Sequence, residues 1–193
     1  MNIPEQYQPL HEYFKLINLN PILNPMNESE IDSLSFSKYR NNSGETMPLP
    51  ASLQLLLSYD KDFMLYENQK LLQPLLDNLD SKTGIISSSN LNDYFRKWFP
   101  ETTMFWNNVE NAPAILPLYH RGDQLVFFYI SNLDNNEYPI CRFDPTEFSL
   151  WISEINLIHY VFSNHYDMTE YENYLDLVAK KNENFMENEY VNV

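Results

Sequence analysis

Three glycines and one cysteine in 193 residues already remove several kinds of chemistry. Gly44, Gly84 and Gly122 stand far apart, whereas a phosphate-cradling loop needs closely spaced glycines so that backbone amides can approach the anion. A dinucleotide fingerprint and a nucleophile elbow are excluded for the same reason. A lone Cys141 can close no internal disulfide and build no thiolate zinc cage; inside an apolar stretch it reads as a small buried hydrophobe. Basic residues are also few. Twelve Lys and Arg face 27 Asp and Glu, a formal net charge of −15 that repels nucleic acid and anionic membrane and attracts a basic partner. The same acidity also serves plain solubility.

Long apolar runs are missing as well. None approaches the roughly 18 residues of a membrane span. The opening MNIPEQYQPLHEYF has neither a basic start nor an apolar core, so a cytoplasmic, reducing setting is expected. What the chain does have is apolar mass: 44% hydrophobic and 15% aromatic residues, enough for a substantial core in one domain spanning 1–193.

The stretch 113–158 is the organising one. It runs from Ile115, Leu116 and Leu118 through a polar turn at His120-Arg121-Gly122-Asp123 into Leu125-Val126-Phe127-Phe128-Tyr129-Ile130. Six consecutive apolar or aromatic residues without alternation predict a strand covered on both faces. A polar loop over 131–137 leads to Tyr138-Pro139-Ile140-Cys141-Arg142-Phe143, and Asp144-Pro145 turns the chain into Phe148-Ser149-Leu150-Trp151-Ile152. Short strands with short polar connections make an antiparallel meander. Val126, Phe128, Ile130, Cys141, Phe143 and Trp151 are expected in the central packing.

Helices are expected on both flanks. Tyr7, Leu10, Phe14 and Ile17 recur at helical spacing, and Leu49-Pro50 opens a leucine-rich helix over 53–57. Phe63-Met64-Leu65-Tyr66 suggests a short strand. The leucines of 70–80 predict a helix kinked at Pro74, and 81–90 reads as a polar link. Asn90 can cap an aromatic helix carrying Leu91, Tyr94, Phe95, Trp98 and Phe99. Beyond Trp151 the period turns helical, with Ser153 as cap for Ile155, Ile158 and Phe162; Thr169-Glu170-Tyr171-Glu172 is a capping-box pattern for one more helix. An acidic tail, 182–193, is expected to be loosely held. The fold class is therefore α+β: an antiparallel meander sheet packed by flanking N- and C-terminal helices.

No catalytic constellation stands out. His11, His120, His159 and His165 share no i,i+4 helix face, so no paired metal ligands arise. Aromatics around Trp98 and Trp106 lack the interleaved Lys and Arg of a single-strand binding platform. Carboxylates gather at Asp123, Asp134, Glu137, Asp144 and Glu147; without a nucleophile or base beside them, the first four are candidates for meeting a basic partner rather than for acid–base work. Neither cofactor nor metal is expected, and oligomeric state is not legible.

The order of pieces across 113–158 resembles the SUKH superfamily, which includes bacterial immunity proteins and fungal cell-wall-synthesis regulators. The residues that carry the resemblance are Pro117, Gly122-Asp123, Pro139, Phe143-Asp144, the sheet-to-helix exit after Trp151, and Leu49-Pro50 with the helix behind it. It covers half to two-thirds of the chain, and a long insertion at about 66–111 departs from it. The resemblance implies a non-catalytic immunity protein that occludes a cognate, nuclease-type toxin. A regulatory scaffold and a small carboxylate-dependent hydrolase are the alternatives.

Overall fold

The computed structural model describes residues 23–37, 45–65, 69–98, 114–121, 124–130, 136–144, 149–154 and 156–162. The N-terminal stripe at Tyr7–Ile17, the Thr169 capping box and the 182–193 tail fall outside them.

The expected meander forms the larger sheet. Strands β8 (Ala114–Arg121), β9 (Gln124–Ile130), β10 (Ile140–Asp144) and β11 (Ser149–Glu154) pair antiparallel in sequence order. A fifth strand, β7 (Ser89–Asn90), joins beside β8. It comes from the stretch read as a polar link, where two residues are too few to show a strand period. β8 also continues through His120 to Arg121, which pairs with Gln124, so the polar turn expected at His120-Arg121 is strand. The absence of alternation in β9 has its physical cause in plain view. Leu125, Phe127 and Tyr129 lie in one apolar cluster, Val126, Phe128 and Ile130 in another, and all six are buried. Cys141 and Phe143 are buried in the first of these clusters, as expected for β10.

A second, four-stranded sheet was not legible. It comprises β1 (Ser35–Ser37), β2 (Thr46–Pro48), β5 (Leu79–Asp80) and β6 (Ile85–Ile86), in the order β2-β1-β6-β5, and β1 runs parallel to β6. Gly84 makes the junction. Its φ of +71° is one that side chains rarely adopt, its carbonyl accepts from Ser35 N–H at 3.0 Å, and a Cβ there would collide with the Ser33 carbonyl oxygen. Ser88 N–H donates to Ser37 Oγ at 2.8 Å and Ser88 Oγ–H to the Ser37 carbonyl at 2.6 Å, extending the contact between β1 and the chain just past β6. Phe36 from β1 sits 6.2 Å from Phe128 and 6.0 Å from Tyr138, ring centre to ring centre, so both sheets share a core.

The leucine stretch 70–80 is less helical than its spacing suggests. Only Gln73–Leu76 forms a helix, α3, between β4 (Gln69–Lys70) and β5; β4 pairs with β3 (Met64–Leu65). Pro74 lies in the first turn of α3, where its missing N–H costs nothing, instead of kinking a longer helix. Helix α4 (Leu91–Trp98) starts as expected: Asn90 Oδ1 accepts from Asn92 N–H at 3.0 Å and Asp93 N–H at 3.3 Å. Leu91 and Tyr94 of α4 pack on the Phe127–Phe143 face.

The opposite face carries helix α2 (Ala51–Tyr59), which buries Leu53, Leu56 and Leu57, together with α3 and α5 (Leu157–Phe162). Helix α1 (Glu28–Asp32) lies upstream and carries its own capping box between Asn27 and Glu30. The C-terminal end of α2 is clamped by the chain before α1. Met26 N–H donates to the Leu57 carbonyl, and Asn24 N–H reaches Asp60 Oδ1 at 3.2 Å. Asp60 also accepts from Asp62 N–H at 3.0 Å, while burial pushes its carboxyl above the usual range.

Two sequence expectations fail here. Ser153 does not cap the C-terminal helix, because β11 runs on to Glu154 and the Ser153 hydroxyl donates back to the Ile140 carbonyl at an irregularity in the β10–β11 pairing. Trp151 is not central packing. At 36% exposure it is the exposed large hydrophobic residue among those described. Its neighbours Leu150 and Ile152 are buried in the Phe127–Phe143 cluster, and the pleat turns Trp151 to the other face of the sheet.

Candidate interaction surface

Of the four acids singled out from the sequence, Asp123 and Asp134 lie outside the described residues. Asp144 is half-buried at the end of β10, opposite Ser149. Glu137 is not the exposed loop charge it was expected to be. Helix α2 is preceded at its N-cap by Pro50, whose side chain offers no acceptor to the first-turn amides. Those amides are instead satisfied by the segment just before β10. Ala51 N–H donates to the Asn136 carbonyl at 2.9 Å, and Ser52 N–H donates to Glu137 Oε1 at 2.7 Å. Asn136 takes a φ of +62°, a conformation asparagine tolerates better than most residues, and this delivers both acceptors to the helix end. Ser52 Oγ–H donates to Glu137 Oε2 at 2.6 Å, and Ser52 Oγ itself accepts the Leu157 N–H of α5 at 3.1 Å. Burial raises the Glu137 carboxyl above its ordinary value, and the two Ser52 bonds oppose that rise. Glu137 is therefore a structural pin. Tyr138 beside it is fully buried, donates to the Pro48 carbonyl at 3.2 Å, and has its phenol pushed up to about 12 by desolvation.

The surface that the fold presents lies elsewhere, on the sheet face that also carries α2 and α5. Register places Arg142 between Val126 on β9 and Trp151 on β11. Val126 is buried, Arg142 half-buried and Trp151 exposed, so cover thins from the sheet centre outward. The Arg142 Nε is sealed from solvent and has no hydrogen-bond partner, and no ion pair involves Arg142 among the described residues. An unpaired, partly desolvated guanidinium is unusual in a chain with 27 acids. Directly opposed side chains on antiparallel strands stand roughly 5 Å apart at Cβ, so Arg142 and Trp151 form one patch. A signal for it existed in the sequence: in Cys141-Arg142-Phe143 and Leu150-Trp151-Ile152 the middle residue must face away from its neighbours.

Among the described residues no three His, Cys, Asp or Glu side chains form a metal-holding group, and no helix is long and apolar enough to cross a membrane. The aromatic platform considered around Trp98 rests largely on side chains outside the described set.

An α+β domain with a meander sheet, helices on both of its faces and a Trp–Arg patch at the rim is the class of protein these features define. The chain belongs to DUF5066, a family described as a domain of unknown function, whose model matches residues 6–191. A crystal structure of an uncharacterized protein from Salmonella enterica serovar typhimurium is similar, with a TM-score of 0.70 and 27% identity over 98% of this chain and 93% of that one. No curated protein matches the chain.

Proposed function

We propose that this protein is a non-catalytic binding module that neutralises a protein partner by covering it, in the manner of an immunity protein. The observation that carries the reading is the Arg142–Trp151 patch. Tryptophan and arginine dominate binding hot spots because each offers a large contact area with directional polar chemistry. Both stand on paired strands, so little ordering is required on association. The net charge of −15 favours a partner that is basic overall, such as a nuclease-type toxin domain, which is the partner class the SUKH resemblance implies. Acting in the cell that makes such a toxin would place it in the cytoplasm.

The test begins by capturing partners from the native host on the full chain and identifying them. The purified pair is then reconstituted and its mass measured. A one-to-one complex, lost in Trp151→Ala, is the expected result, with the partner's activity blocked only at equimolar protein. Suppression at far substoichiometric amounts would make the protein an enzyme and overturn the reading.

A further inference from the structure

Arg142 carries an imbalance that the rest of the fold does not resolve. Its Nε is sealed without an acceptor, and the flanking carboxylates, Asp144 two positions along β10 and Glu154 opposite Ile140, form no ion pair with it. The cost of removing part of this cation from water is thus already incurred in the free protein. An incoming anion that meets the open part of this half-buried guanidinium gains attraction without having to strip the whole group of water first. Resting on the binding-module reading, we infer that Arg142 and Trp151 receive a carboxylate side chain set in an apolar segment of the partner, the carboxylate meeting the guanidinium and its apolar neighbour covering the indole.

The chemistry selects this ligand. A planar guanidinium matches a carboxylate in fork geometry, and charge-assisted bonds of this kind are about twice as strong as neutral ones. Phosphate and nucleic acid also suit arginine, but their higher charge is repelled by a chain of net charge −15. One carboxylate within an otherwise basic or neutral partner escapes that penalty. A second copy of this chain does not, since it brings the same net charge. Trp151 supplies the apolar half of the contact, and the paired strands hold both halves in fixed register.

The probe is the peptide N-acetyl-Leu-Glu-Leu-amide, titrated at constant ionic strength into the full-length ¹⁵N-labelled protein. The Arg142 Nε–H and Trp151 indole N–H signals are followed. Saturable shifts of both signals are expected, with binding about tenfold weaker for the Gln counterpart of the peptide and for Arg142→Lys, which keeps the charge but loses the fork. Arg142→Met should abolish the response with an unchanged thermal midpoint, separating loss of the site from loss of the fold. Equal binding of the Glu and Gln peptides, persistence of the shifts at Trp151 in Arg142→Met, or tighter binding of inorganic phosphate than of the Glu peptide would each overturn the inference. Such a failure alongside a complex still broken by Trp151→Ala would leave the binding-module reading standing; a complex indifferent to Trp151→Ala would remove that reading instead.

Discussion

Ser52 and Glu137 are 85 positions apart in the chain, yet two hydrogen bonds of 2.7 and 2.6 Å join them and place a carboxylate on the open end of helix α2. The helix lacks a side-chain cap of its own, and its first-turn amides form the positive end of its dipole. Glu137 answers both needs from the sheet side. Because Ser52 Oγ also accepts from Leu157 N–H, one hydroxyl connects α2, the segment before β10 and α5.

Ser52→Ala should therefore cost more than a typical serine deletion. It strips one donor from a half-buried carboxylate and leaves the Leu157 amide without its acceptor. A loss of about 2–4 kcal/mol is expected from urea unfolding. A loss near zero would show that water replaces both contacts.

Glu137 also predicts a pH dependence. Its folded carboxyl lies above the ordinary 4.5, so the folded state takes up the proton first as pH falls. Its contribution to stability is thus greatest below 4.5 and is lost as pH rises through the raised folded value. Glu137→Gln cannot titrate. The stability difference between wild type and this variant should shift toward wild type on going from pH 7 to 4.5, as read from urea midpoints. A constant difference would place the carboxyl at its ordinary value.

Phe128 and Trp151 make a contrasting pair. Phe128 is fully buried against Phe36, and Phe128→Ala should cost about 3–5 kcal/mol. Trp151→Ala should cost less than about 1 kcal/mol while removing partner binding. Comparable losses of stability for the two would return Trp151 to the core.

Gly84→Ala tests the junction of the second sheet. The added methyl meets the Ser33 carbonyl oxygen at a backbone angle that already disfavours a side chain. A loss of more than about 2 kcal/mol is expected from thermal or urea unfolding. Near-neutral behaviour would mean that the turn relaxes freely around position 84.

Patterns of local origin were readable in the chain itself. The run 125–130 announces a strand covered on both faces because hydrophobicity without alternation has no other short-strand solution. The Asn90 cap, the break before β10 and the leucine face of α2 likewise depend on residues a few positions apart. The α+β meander followed from these. The tertiary structure decided what depends on distant partners. Two-residue strands such as β5 and β6 exist only because β1 lies beside β6, so no period within them can reveal the second sheet. Glu137 carries the same carboxyl group as Asp144, and only the approach of α2 turns it from a surface charge into a pin. Trp151 is as hydrophobic as its neighbours, yet Leu150 and Ile152 are buried and Trp151 is exposed, a difference set by what covers each face of the sheet rather than by hydrophobicity along the chain.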